Sequence, residues 1–357
     1  MKTTNFTLQN TAILLALLPS ICGASDANQP TADEQVLLER VNAARVQQAE
    51  ESRRLHLDFQ EGMSYPVQAN LQPLIWRTSL KAAATEHNQD MWARDYYGHV
   101  TPDGRGPFQQ VQAHDADFLA VGQDLGAGRM YTTPDSVYKG WMVDAGIENR
   151  GHRQCILHSQ IDSFGAQRSS SYATFYGVYW TAYFGVSLSR HHYVTGVIYN
   201  DLNRNGRYDA GEGLPHWKVR LVAQSPETTV SATQTISSNG SGTSAAMAAG
   251  ETEFVSAYDT GGYAVEAPAE GDYTVEAVSP DGESFFDSTG IDSANVKVDF
   301  VVNAGRAISS QATTPAKSSG KQAGCALVEG RSQTAWTLLA AMGLLLAAIL
   351  GLRMGSH

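Results

Sequence analysis

The spacing of apolar residues changes once along this chain, near Tyr193, and that change divides what it can fold into. Before it, Leu37, Val41 and Ala44, and again Leu80, Ala84, His87 and Met91, recur every three or four residues, the period of a helix with one buried face. Strand-like runs follow around Val178, Trp180, Tyr183 and Phe184, punctuated by Gly177 and Gly185, so residues 33–189 read as one mixed α/β unit. After Tyr193 the pattern alternates: Trp217, Val219 and Leu221; Tyr263, Val265 and Ala267; Tyr273, Val275 and Ala277; Val296, Val298 and Phe300. A period of two between turn-forming stretches predicts half-buried strands, and residues 193–303 are expected to form an all-β, antiparallel sandwich. The stretch 237-SSNGSGTSAAMAAG-250 is expected to be a long loop within it.

The two ends carry a different message. Lys2, an apolar run from Ala12 to Leu18 and small residues up to Ser25 follow the order of a secretory signal peptide, so residues 1–24 are expected to direct export and then be removed. Residues 334–352 are apolar and uncharged, close to the roughly 20 residues that span a bilayer as a helix, and are expected to be a transmembrane segment or a sorting tail. Residues 304–330 read as the flexible linker leading to it. This order places the body of the chain outside the cell, at the surface or on the periplasmic side, anchored to a membrane by its C-terminal segment. A net charge of -11 and the lack of any Lys/Arg run exclude nucleic acid as a partner. Only Cys155 and Cys325 remain once the leader is gone, which excludes a disulfide framework. Cys155 is expected to be a small buried thiol.

Within the first unit, five marks stand in order: 99-HVTPDG-104, 122-GQDLGAG-128, 141-WMVD-144, 151-GHRQCIL-157 and 177-GVYWTAYFG-185. Together they resemble the CAP superfamily of cysteine-rich secretory, antigen-5 and pathogenesis-related-1 proteins, and its bacterial branch in particular. The resemblance covers residues 34–189. It implies an α/β/α sandwich with a cleft where two histidines and two acidic residues meet. Carried over singly, His99 matches the first histidine and His152 the second. Asp144, three residues after Trp141, matches the second acid, while Gln123 stands where the family has the glutamate of a Gly-Glu-Asn motif.

Two neutral imidazoles can share a divalent ion such as zinc and leave positions open for water or ligand. His99 and His152 are therefore candidate zinc ligands, with Asp144 as a third ligand or as a partner behind them. Gln123 lowers the expectation of catalysis, because a carboxamide takes up no proton as a general base. Asp124 does not replace it, since neighbouring side chains on a strand point to opposite faces. The cleft of His99, Gln123, Asp144 and His152 is thus expected to bind a lipid, a polysaccharide or a protein. The alternatives are a metal-dependent hydrolase using His99, His152 and Asp144, and an adhesive surface protein whose cleft is vestigial. His87 reads as a core residue, and Glu148, Arg150 and Arg153 as a solvated cluster at a helix end.

The second unit opens with 201-DLNRNGRYDAGE-212, which fits the Asp-x-Asn-x-Asn-Gly-x-x-Asp-x-x-Glu order of a loop that wraps calcium. Asp201, Asn203, Asn205, Asp209 and Glu212 offer side-chain oxygens and Arg207 its carbonyl. The flanks 194-VTGVIYN-200 and 217-WKVRLV-222 read as strands, so no helix-loop-helix pair is expected. With 271-GDYTVEAVSPDG-282, the region resembles the calcium-stapled B-type repeats of bacterial surface adhesins. A structural calcium ion is expected there.

Overall fold

The computed structural model describes residues 27–170, 174–224, 250–303, 306–313 and 328–329, the last two stretches by their backbone. The expected leader 1–24, the loop 237–249 and the apolar run 334–352 lie outside the described residues. Among the described residues, no helix is long and apolar enough to cross a membrane.

The first unit begins with α1 (Ala32–Val46), opened by a capping box in which Thr31 and Glu34 bond each other's backbone amides. There follow α2 (Gln48–Leu55), β1 (Ile75–Trp76), α3 (Thr78–Ala93), α4 (Pro107–Gln112), β2 (Phe118–Ala127), α5 (Pro134–Val143), α6 (Gly151–Ile156), β3 (Ser163–Ser170) and β4 (Val178–Ser187). The strands form a sheet in the order β1-β3-β4-β2. Leu80 and Ala84 of α3 and Phe108 of α4 cover one face, and α1, α5 and α6 cover the other. Because both faces are covered, β4 buries every residue from Val178 to Phe184 instead of alternating. Trp180 and Phe184 join the α1 side, while Tyr183 joins the α3 side.

The second unit contains β5 (His192–Tyr199), β6 (Lys218–Ala223), β7 (Val255–Ser256), β8 (Gly262–Ala267), β9 (Gly271–Val278), β10 (Ser284–Ile291), β11 (Val296–Asn303) and β12 (Arg306–Thr313). They form two four-stranded sheets, β10-β9-β6-β7 and β12-β11-β5-β8. The alternating residues Trp217, Val219, Leu221, Tyr263, Val265, Tyr273, Val275 and Val298 meet in one core. The arrangement departs from the sequence expectation in two places. β5 pairs with β11 in parallel, a direction that a period of two does not encode. Residues 306–313, within the expected linker 304–330, pair antiparallel with β11 as an edge strand whose Ser, Ala and Thr content gives no alternation to read. A two-residue strand β13 (Val328–Glu329) pairs with Val121 and Ala120 of β2.

The two units meet across α1, which is buried on both sides. Leu37, Leu38, Val41 and Ala44 face the first unit's core, while Val36 packs with Val197, Tyr199 and Tyr208 of the second. Its polar side chains are used as well: Gln35 Oε1 accepts from Thr260 Oγ1 at 3.2 Å, and Glu39 meets Lys297 Nζ at 2.8 Å, both buried. A second junction is Asn295, buried at 1% exposure. Its Oδ1 accepts from Tyr193 N at 3.0 Å, and its Nδ2 donates to Pro73 O at 3.1 Å and Asp162 O at 3.2 Å. Replacing Asn295 with Ala removes the partner of Tyr193 N and of Pro73 O, while Asp162 O keeps Ile75 N, so Asn295→Ala is expected to cost about 2 kcal/mol. Urea unfolding of the two proteins measures this; a difference within about 0.5 kcal/mol, the range of ordinary surface substitutions, would contradict it.

Candidate ligand-binding cleft

The residues after His99 close a tight turn. Thr101 O accepts from Gly104 N at 2.8 Å, with Pro102 and Asp103 at the corners and Gly104 at φ +88°, where a Cβ would be strained. Gln110 of α4 ties both ends of the turn, its Nε2 donating to His99 O at 2.8 Å and to Arg105 O at 2.9 Å. Behind it, buried His87 of α3 places Nε2 3.1 Å from Gly98 O. His99 is therefore held on a braced loop, exposed, with one ring edge turned to β2.

There its Nδ1 lies 2.7 Å from Gln123 Oε1. The other end of that amide is already committed: Gln123 Nε2 donates to Tyr183 Oη at 2.8 Å and to Gln110 Oε1 at 3.2 Å. The Tyr183 hydroxyl in turn donates to Gln110 Oε1. A carbonyl oxygen only accepts, so the network assigns the proton to His99 Nδ1 and leaves Nε2 its lone pair. Although His99 is exposed at the surface, the protein around it excludes enough water to lower its imidazole below the ordinary pKa; the Gln123 bond opposes this and the charge of His152 adds to it.

His152 is supported differently. Asp144 ends α5 in the left-handed region at φ 51°, and its carboxylate meets the start of α6. Oδ2 accepts from His152 N at 2.9 Å and Arg153 N at 3.4 Å, amides with no partner inside the helix. Oδ1 lies 2.6 Å from His152 Nδ1. Trp141, tied to Leu125 O through Nε1 at 3.0 Å, lies 17° from parallel to the His152 ring, 6.4 Å away between centroids. Asp144 is buried and fully used in this way, so it supports His152 from behind and does not face the cleft as a third metal ligand.

The four expected residues thus form two pairs, Gln123 behind His99 and Asp144 behind His152, each held through the Nδ1 edge of its ring, and the two histidines lie close enough for His152 to act on the charge of His99. No group of three or more His, Cys, Asp or Glu is arranged to hold a metal among the described residues. Asp124 lies on the opposite face of β2, buried beside the Cys155 thiol and near Asp144. Burial first, then Cys155 and Asp144, raise its carboxyl well above the usual range. Arg153 corrects the reading of a solvated cluster: it is fully buried and donates to Met142 O at 2.5 Å, Glu61 O at 2.7 Å and Val143 O at 3.0 Å. The first and third of these are carbonyls at the end of α5 that lack helical partners. Gln110 and Tyr183 complete the site, and the sequence reading missed both. Tyr183 stands directly opposite Gln123 in the β2–β4 register, a relation no spacing rule exposes.

In the 201–212 loop, Asp201 accepts from Asn205 N at 3.0 Å and Gly206 N at 2.9 Å, and Glu212 from Leu202 N at 3.0 Å and Asp209 N at 2.9 Å. Gly206 takes φ +74° at the sharp bend. Asn203 Nδ2 and Asn205 Nδ2 converge on Asp209 Oδ2 at 2.8 and 2.6 Å. Their oxygens accept from the backbone, Asn203 Oδ1 from Asn205 N at 3.0 Å and Asn205 Oδ1 from Arg207 N at 2.8 Å. The donor set is all oxygen and in the order a calcium loop uses, so its chemistry suits calcium, although its three carboxylates are not gathered around one metal position as they stand.

With this geometry in view, residues 38–184 match the sequence pattern of the family described as CAP, cysteine-rich secretory protein family. The chain is 28% identical over 114 residues to the uncharacterized protein YkwD of Bacillus subtilis (strain 168), a match spanning 32% of this chain and 40% of that protein. Among solved structures, an outer surface protein from Borrelia burgdorferi aligns at TM-score 0.31 and 16% identity, covering 43% of this chain and 92% of that one. An extracellular protein containing an SCP domain from Bacillus anthracis str. Ames aligns at TM-score 0.27 and 22% identity, covering 32% of this chain and 34% of its own.

The buried histidines make stability depend on pH. Burial lowers His87 and His158 each to about 4, and the His87 Nδ1 has no partner to accept from it. An unfolded histidine titrates near 6.5. As pH falls below that value the unfolded chain binds protons that the folded chain refuses, so the stability these groups contribute above pH 6.5 is lost on the way to pH 4. Unfolding by urea at about pH 7 and about pH 5 is expected to show a loss of several kcal/mol. Equal stability at the two values would show that these rings accept protons in place.

Proposed function

We propose that this chain is an exported CAP-domain protein whose cleft, between His99 and His152, binds a ligand outside the cell. The observation that carries the reading is the pairing of each histidine from behind, by Gln123 and by Asp144. That arrangement fixes both rings by their Nδ1 edges and, in this reading, leaves both Nε2 atoms to the ligand. It supports binding over turnover. The position of a general base is taken by the amide of Gln123, Asp144 is committed to His152, and Asp124 is on the other face of the strand. The extracellular lipid, polysaccharide or protein that fits is met by two imidazoles differing in partner, one with an amide and one with a carboxylate. Zinc, in this reading, is held by the two Nε2 atoms alone, and weakly.

Residues 193–303 are proposed to be a β-sandwich domain, stapled by calcium in the 201–212 loop, that displays the cleft. The C-terminal run 334–352 is proposed to anchor it to a membrane. The charge of -11 agrees with partners other than nucleic acid.

Zinc serves as the probe of the paired Nε2 atoms. Calorimetric titration at neutral pH is expected to give weak, saturable binding that falls at least about tenfold in the His99→Ala, His152→Ala double variant, since a two-imidazole site is lost with its ligands. Zinc retained through purification, with a hydrolytic activity abolished by the same variant, would move the assignment to a metal-dependent hydrolase. Binding unchanged in the double variant would remove these histidines from the site.

A further inference from the structure

The 201–212 loop does not stand at a free end of the second unit. Its seventh, eighth and ninth positions all reach into the first. Arg207 places Nη1 3.4 Å from Glu51 Oε2 on α2. Tyr208 is buried against Val36 of α1, beside Val197 and Tyr199. Asp209 Oδ1 meets Arg40 Nη2 at 2.7 Å.

Arg40 is the centre of this contact. It is buried at 4% exposure on α1, and its guanidinium is divided among three acceptors. Nε meets Asp135 Oδ1 at 2.8 Å, Nη1 donates to Tyr208 O at 2.9 Å, and Nη2 takes Asp209. A fixed planar fork of this kind holds the backbone at position eight and the carboxylate at position nine together. The two oxygens of Asp209 are thereby assigned to different units. Oδ1 belongs to Arg40, and Oδ2 faces Asn203 and Asn205 within the loop. A cation bound by the loop takes Oδ2, with the two asparagine oxygens, and leaves Oδ1 on Arg40. Beside the loop, a cavity of about 260 Å³ lined by Glu39, Arg40, Arg207 and Lys297 shows that the junction is not sealed by packing alone.

We propose that the 201–212 loop is a cation-controlled clasp, in which an ion bound there and the docking of the second unit on α1 stabilise one another through Arg40. This rests on the calcium reading of the loop. Without the ion, three carboxylates are gathered in a short loop with Arg40 and the backbone amides to balance them. With it, the loop is fixed in the shape that presents Tyr208 O and Asp209 Oδ1 to Arg40. Coupling of this kind is reciprocal: whatever the ion adds to docking, docking adds to the affinity for the ion.

Calcium is titrated calorimetrically into the full chain and into its Arg40→Met variant, and amide exchange is followed in the full chain with and without calcium. Expected are calcium binding by the parent, an affinity lower by about tenfold in Arg40→Met, and slower exchange with calcium along α1, which supplies no ligand to the ion. Calcium bound with equal or higher affinity by Arg40→Met, or exchange slowed within 201–212 alone, would overturn the clasp and leave the calcium site standing. If the parent binds no calcium, the calcium reading itself fails and the clasp with it. Should Arg40→Met not fold, the exchange measurement on the parent decides the question alone.

Discussion

Glu39 and Lys297 form an ion pair, 2.8 Å apart, in a place neither residue type ordinarily occupies: buried, on a helix enclosed by two units. Such a pair is not a large source of stability, because the desolvation of both charges offsets much of their attraction. Its consequence is specificity. Glu39 left without Lys297 in that position costs several kcal/mol, while Lys297 also keeps Asp299 beside it, so α1 is held to one placement against β11. Gln35 with Thr260, and Arg40 with Tyr208 and Asp209, repeat the constraint along the same helix. The same α1 carries Leu37 and Val41 into the core against which α5 and α6 pack. The helices that end at Asp144 and begin before His152 are thus positioned by a core that shares one wall with the second unit.

Within that frame the two histidines of the cleft are made unequal. An amide partner fixes the tautomer of His99 without adding charge, whereas the partner of His152 is a carboxylate. The closed ring of His99, Gln123, Tyr183 and Gln110 leaves each donor one direction to point, which is how a neutral partner can orient a ring as firmly as a charged one. A ligand bound there, as proposed, would meet one ring backed by an amide and one backed by a carboxylate.

Much of this was legible in the sequence where a local rule applied. The turn after His99 follows from Pro102 and Gly104, the buried stripe of α1 from Leu37, Val41 and Ala44, and the core of the second unit from strict alternation. The opposite facing of Gln123 and Asp124 follows from strand geometry alone. What was not legible depends on contacts distant in sequence. Gln35, Glu39 and Arg40 lie on the polar side of α1, which one-faced helix logic assigns to water, and only the second unit buries them. Arg153 reads as a surface charge until the carbonyls at the end of α5 are placed around it. The direction of β5 against β11 and the pairing of 306–313 are set by topology, which the side-chain period does not record.

The claim on which the functional account turns is the tautomer and neutrality of His99. Ring-nitrogen NMR of the ¹⁵N-histidine-labelled chain reads both directly. The account predicts a protonated Nδ1 and an unprotonated Nε2 on His99 at neutral pH, with no second proton taken up until the pH is below the ordinary histidine value of about 6.5. A proton found on Nε2, or an imidazolium already formed at neutral pH, would contradict it and return the cleft to the question of what Gln123 is for.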